Sequence, residues 1–235
     1  MLRSSKVSVV LVHGAWADGS SWSKIIGPLA AEGLRVSAPP LPLTSFAEDV
    51  AALDRALERM PGPVVLAGHA YGGAVIGGTR SDKVKALVYV AALAPDEGET
   101  VANVFYRTAA HPQAPRLAPD AHGWIYLPEA AFGAAFAQNA GTEERVVLSA
   151  VQQPISPACI TVAVPRPLWK YLPAWFLVAE QDRMIVQQNQ CFMAERMRAR
   201  VRSHPVDHTP MLTAPAVVLE MLHEAIAAVR TESAA

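Results

Sequence analysis

Pro63-Val64-Val65-Leu66-Ala67-Gly68-His69-Ala70-Tyr71-Gly72-Gly73 decides the fold. Its first half is a short apolar run, as a strand buried on both faces requires. Its second half passes directly into a helical stretch, Tyr71 to Thr79. Glycines stand two before and two after a central residue, the arrangement of a nucleophile elbow, in which a tight strand-to-helix turn lifts one side chain into a cleft. Side chains at 68 and 72 would collide in such a turn. The central residue is held in a strained backbone conformation at the positive end of the helix. That residue should carry a hydroxyl, and here it is Ala70.

Upstream, Val7 to Val12 is a second β-branched run, closed by His13-Gly14. Ser23 to Glu32 reads as a helix stopped by Gly33, and Leu34 to Ala38 as a short strand ended by Pro39-Pro40. Phe46, Val50, Leu53, Leu57 and Met60 make one apolar helical face. Ser45 and Glu48 predict a capping box at its start, and Pro61-Gly62 its end. Downstream, strand signals return at Lys85 to Leu93, Ala174 to Ala179 and Ala199 to Val206, with helices over Gln188 to Arg198 and Pro215 to Val229. Alternation of this kind predicts an α/β fold with a mostly parallel sheet flanked by helices. Residues 95–167 break the pattern: they are rich in Ala, Pro and aromatics and offer no strand, so they read as a helical cap inserted over one end of the sheet.

The whole chain, 1–235, fits a single domain. Hydrophobic residues make up 51% of it and charged residues 17%, which excludes a disordered chain. Lys plus Arg is 20 against 21 Asp plus Glu, so there is no basic excess to neutralise phosphates and nucleic acid is not expected as a partner. No apolar run is long enough to span a membrane. The first residues show no small-residue cleavage site, and the two cysteines, Cys159 and Cys191, suit a reducing compartment, so a soluble cytoplasmic protein is expected. A metal site at His204 and His208 would need a helix there, which Pro205 opposes; neither metal nor cofactor is expected.

His13-Gly14-Ala15-Trp16, the Gly68 to Gly73 turn, Asp182 after a late strand and His208 near the end occur in that order. In this the chain resembles the α/β-hydrolase fold superfamily, and within it small bacterial esterases similar to the methylesterase and hydroxynitrile lyase branch. The resemblance covers Val7 to about Val229 and implies a Ser-His-Asp triad at positions 70, 208 and 182. It also implies an oxyanion hole from the backbone N–H groups of Ala15 and Tyr71. Asp96 is the alternative acid and His204 the alternative base, while Glu180 lies too close to its strand end. Asp182 and His208 are preferred, because the chain order nucleophile, Asp, His is then kept. His13 is expected to be structural, bonded to backbone.

The expected reaction is hydrolysis of a small hydrophobic carboxylic ester through an acyl-enzyme, with a small-molecule ester as partner. Trp16, Trp22, Trp124, Tyr126 and Met211 are the expected substrate contacts in an apolar cleft. Ala70 stops the covalent route. Either a serine has been replaced, or the chain is a ligand-binding pseudo-hydrolase; intact acid, base and glycines favour the first. A lactonase or a carbon-carbon bond hydrolase would use the same groups. A hydroxynitrile lyase is disfavoured, since Gly14 and Thr209 stand where those relatives carry Thr and Lys.

Overall fold

Val64, Val65, Leu66 and Ala67 are completely buried, and so are Val9 to Val12 and Trp175 to Ala179. Strands this apolar can only sit inside a sheet covered on both faces. The computed structural model describes residues 7–232. Its sheet has six strands: β1 Ser8–Val12, β2 Arg35–Ser37, β3 Val64–His69, β4 Val84–Val90, β5 Ala174–Ala179 and β6 Arg200–His204. They lie in the order β2-β1-β3-β4-β5-β6, and every pairing is parallel. The chain leaves β1 on one side to make β2 and returns on the other side as β3. The carboxyl ends of β1 and β3 therefore flank the switch point where open α/β sheets bind ligands. β6 is an edge strand, and its exposed Arg200 and Arg202 discourage pairing with another chain.

The long helices are α1 Ser23–Ala31, α2 Phe46–Glu58 and α3 Tyr71–Gly78, followed after the insertion by α7 Gln187–Arg196 and α9 Pro215–Glu232. Ser45 caps α2 by accepting from the Glu48 N–H at 3.2 Å. The reciprocal half of the expected box is not made: the Glu48 carboxylate accepts instead from the hydroxyls of Thr44 and Ser45. Phe46, Leu53 and Leu57 form the buried face of α2, as the spacing predicts. α3 is buried almost throughout.

Between β4 and β5 lie only short helices: α4 Val101–Phe105, the turn α5 Glu129–Ala131 running into a π turn at Phe132–Phe136, and α6 Thr142–Ala150. Apart from single 3-10 turns at Pro157–Cys159 and Leu168–Lys170, the rest is extended or looped, with isolated antiparallel bridges at Thr100–Ala163 and Ile125–Ile155. Segment 95–167 is thus less helical than its composition suggests. Pro112, Pro115, Pro119 and Pro128 remove amide donors at intervals too short for a helix to propagate. A short helix, α8 Pro210–Thr213, precedes α9. Among the described residues no helix is long and apolar enough to cross a membrane.

Candidate active site

The turn after β3 is as tight as its glycines imply. A Cβ on Gly68 would lie 2.6 Å from the Gly72 carbonyl oxygen, and one on Gly72 would lie 2.6 Å from that of His13. Only glycine lets α3 start this close to the ends of β3 and β1. Ala70 consequently adopts φ 48°, ψ −120°, a left-handed conformation that costs on the order of 1–3 kcal/mol for a residue with a side chain. Its carbonyl accepts from the N–H groups of Gly73 at 3.0 Å and Leu93 at 2.9 Å, which holds the strained residue in place.

Asp182 lies just beyond β5 and His208 just beyond β6, and both side chains are buried. His208 Nδ1 is 2.8 Å from Asp182 Oδ2. Oδ1 of Asp182 accepts from the N–H groups of Met184 at 2.7 Å and Ile185 at 2.8 Å, and Oδ2 also accepts from Gln190 Nε2 at 3.0 Å. A carboxylate held by four donors accepts the Nδ1 proton of His208 and leaves the Nε2 lone pair free. Among the described residues Nε2 has no protein partner. The ring is wedged between His69, at 4.7 Å between centroids, and the Phe136 edge, at 5.3 Å.

Ala15, Ala70, Tyr71 and His208 all line one cavity. Among the described residues, neither the Ala15 nor the Tyr71 backbone N–H has a protein acceptor, so two main-chain donors stand unpaired at its wall. Apolar side chains from the insertion, among them Val101, Phe105, Leu117, Ile125 and Ile155, complete the lining. The Tyr71 hydroxyl is turned away, donating at 2.7 Å to Asp49 Oδ2. Asp49 is buried, which pushes its carboxyl up. Burial likewise pushes the neighbouring Cys159 thiol up to about 12, so that thiol is no substitute nucleophile.

Of the expected substrate contacts, Trp16 lines the cavity, and its indole N–H donates at 2.9 Å to the Ile125 carbonyl, tying the first loop to the insertion. The others do not. Trp22 and Met211 are core side chains at 0% exposure. Ile125 pairs in extended conformation with Ile155 and faces the cavity, so its neighbours Trp124 and Tyr126 fall on the other side of the backbone. Asp96 pairs with Lys170 at 2.7 Å, and His204 stays at the end of its strand. His13 is fixed to backbone on both nitrogens, Nδ1 donating to Gly14 O at 2.8 Å and Nε2 accepting from Leu41 N at 2.9 Å. Burial lowers its pKa. Both cysteines are free, and among the described residues no cluster of three His, Cys, Asp or Glu could hold a metal. Gln190, which bonds the acid, had no signal in the sequence.

A sequence model of the alpha/beta hydrolase family matches residues 9–221. The chain belongs to that family. A carbendazim hydrolyzing esterase from Nocardioides sp. (strain SG-4G) is 32% identical over 109 residues, 39% of this chain. The match spans 44% of that relative, less than half its length. Among solved structures, a pyrethroid hydrolase from Sphingobium faniae JZ-2 superposes with a TM-score of 0.80 at 21% identity, covering 95% of this chain and 98% of that one. Polyneuridine aldehyde esterase gives 0.78 at 20% identity, covering 94% and 98%. A methylesterase from Arabidopsis gives 0.76 at 17%, covering 94% and 99%. These likenesses establish the shared hydrolase fold.

Proposed function

We propose that this is the site of a carboxylic ester hydrolase for a small, uncharged, apolar ester, with position 70 as the seat of the attacking hydroxyl. The observation that carries the reading is the Asp182–His208 pair, whose imidazole, with Nε2 free of protein partners among the described residues, lines the same cavity as Ala70, Ala15 and Tyr71. With serine at 70, His208 would take the hydroxyl proton as oxygen attacks the ester carbonyl, and the Ala15 and Tyr71 N–H groups would receive the developing charge. Water, activated by the same imidazole, would then release the acyl group. His208 and tyrosines are the ionisable groups of the lining, so a charged ligand finds no counter-ion there.

With the methyl of Ala70 the covalent step cannot begin, and the chain binds an ester without forming an acyl-enzyme. Loss of a triad serine costs on the order of a million-fold in turnover. The experiment is Ala70→Ser assayed on nitrophenyl and methyl esters of increasing chain length. Hydrolysis rising by several orders of magnitude over the unaltered chain is expected. Tight ester binding without hydrolysis in Ala70→Ser would overturn the reading in favour of a ligand-binding pseudo-hydrolase.

A further inference from the structure

We infer that the chain carrying Ala70 is itself a proton-transfer site, which reversibly removes a hydrogen from the carbon between the two carbonyls of a neutral, apolar β-dicarbonyl compound. The inference uses the cavity and donors of the ester reading but needs no hydroxyl at 70, so the two stand or fall separately. A serine hydroxyl at 70 would occupy the Nε2 lone pair of His208. A methyl cannot, and among the described residues nothing else does. What remains is a base with its lone pair free, fixed in tautomer and direction by Asp182 at 2.8 Å, in an apolar cavity with two unpaired main-chain donors. That is the set of parts enolisation requires: a base for carbon-bound hydrogen and an electrophilic cradle for the oxygen that gains charge.

The step balances without a co-reactant. The C–H bond breaks, its proton goes to Nε2, its electron pair forms the enolate C=C, and the carbonyl π pair moves to oxygen. The Ala15 and Tyr71 N–H groups hold that oxygen. Returning a proton from Nε2 to carbon regenerates the ketone, and exchange of the Nε2 proton with solvent makes the event visible. A β-dicarbonyl is the fitting class because its carbon acid is strong enough for an imidazole, and neutrality is required because the lining offers no cation. A positioned base contributes roughly 10²–10⁴-fold, and a preorganised oxyanion donor roughly 10²–10³-fold.

The test is deuterium uptake at C2 of 2-methyl-3-oxoalkanoate alkyl esters, methyl to octyl, followed by proton NMR in heavy water with the unaltered chain. Exchange at least about a hundredfold above its own His208→Gln variant is expected from the general-base contribution alone. A bulky ketone without α-hydrogens, such as di-tert-butyl ketone, should compete for the cavity and suppress the exchange, a readout that holds even if His208→Gln fails to fold. Exchange no faster than buffer across the ester series, or exchange that the ketone leaves untouched, overturns the inference. Exchange by the Ala70 chain alongside an inert Ala70→Ser protein would refute the ester reading alone; hydrolysis by Ala70→Ser with no exchange by Ala70 would refute this one alone.

Discussion

The ring of His69 donates its Nε2 proton to the main-chain carbonyl of His208 across 2.7 Å, joining the turn after β3 to the loop after β6. A carbonyl only accepts, so the tautomer is settled: Nε2 carries the hydrogen and Nδ1 the lone pair. Nδ1 is buried without a partner, facing the Cα of Gly14. The residue before the elbow's centre therefore fixes the backbone from which the candidate base projects, and burial favours its neutral form.

That neutrality predicts acid sensitivity. Burial, and then the neighbouring His208, hold the His69 pKa well below its ordinary 6.5, and burial lowers that of His13. Below pH 6.5 the unfolded chain takes up these protons while the folded chain does not, so stability is complete above that pH and falls as the pH drops beneath it. Each histidine contributes a slope of up to about 1.4 kcal/mol per pH unit. Urea midpoints should fall steadily from pH 6.5 to 5. His69→Gln, whose amide can still donate to the carbonyl, should flatten that fall; an unchanged slope refutes the account.

Gln190 joins the acid to α7. Its Nε2 donates to Asp182 Oδ2 at 3.0 Å and Ile185 O at 2.6 Å, while its Oε1 accepts from Ala179 N at 2.9 Å. Gln190→Glu would keep the acceptor but set a second carboxylate against the first. Like charges this close share a proton, which raises the folded-state pKa. The variant should therefore be destabilised at pH 8 and regain stability relative to the parent toward pH 5, opposite in sign to the histidines. Thermal melts of both proteins at the two pH values decide it, and parallel shifts would refute it.

The sheet and the position of the cavity were legible because buried parallel strands read as uninterrupted apolar runs, and because Gly68, Gly72 and Gly73 allow few other turns. The apolar lining beyond Trp16 was not legible. Trp22 and Met211 are as apolar as Phe105 and Ile155, and nothing local distinguishes a side chain that fills the core from one that faces a cavity. Segment 95–167 carries no period to read, so the inward Ile125 and outward Tyr126 differ only by parity along an extended chain. His69 was in view as a residue of the turn, but its partner lies 139 positions away, and only the folded chain shows the pairing.

Gly14 should be intolerant of a side chain. A Cβ there would lie 2.9 Å from the Ala70 Cβ and 3.2 Å from His69 Nδ1, both held by backbone that cannot retreat. Gly14→Ala should cost about 1–3 kcal/mol by overpacking and should abolish any hydrolysis gained by Ala70→Ser. Gly27, in α1 with nothing within 4 Å of its added Cβ, supplies the contrast. Gly27→Ala should stabilise by about 0.4–1 kcal/mol. Chemical denaturation of the two variants tests both signs; equal effects would refute the packing argument.

The insertion holds the candidate acid and base loops through three further bonds. Arg183 Nη1 donates to Ala134 O at 2.7 Å, Gln138 Nε2 to Gln181 O at 2.7 Å, and Asn139 N to Asp207 Oδ2 at 3.0 Å. Asp207 is completely buried, and its Oδ1 also accepts from Thr209 N and Thr213 Oγ1. Asp207→Asn turns an amide N–H₂ toward a donor, which leaves a buried group unpaired at a cost of about 1–3 kcal/mol. Because the same contact holds the π turn whose Phe136 packs on His208, the loss should be local and should reach the imidazole. Hydrogen exchange should quicken together in residues 132–141 and 205–209 while β1, β3 and β4 stay protected. Quickening confined to 205–209 would mean that the π turn is held without Asp207 and that the contact does not couple the insertion to the imidazole.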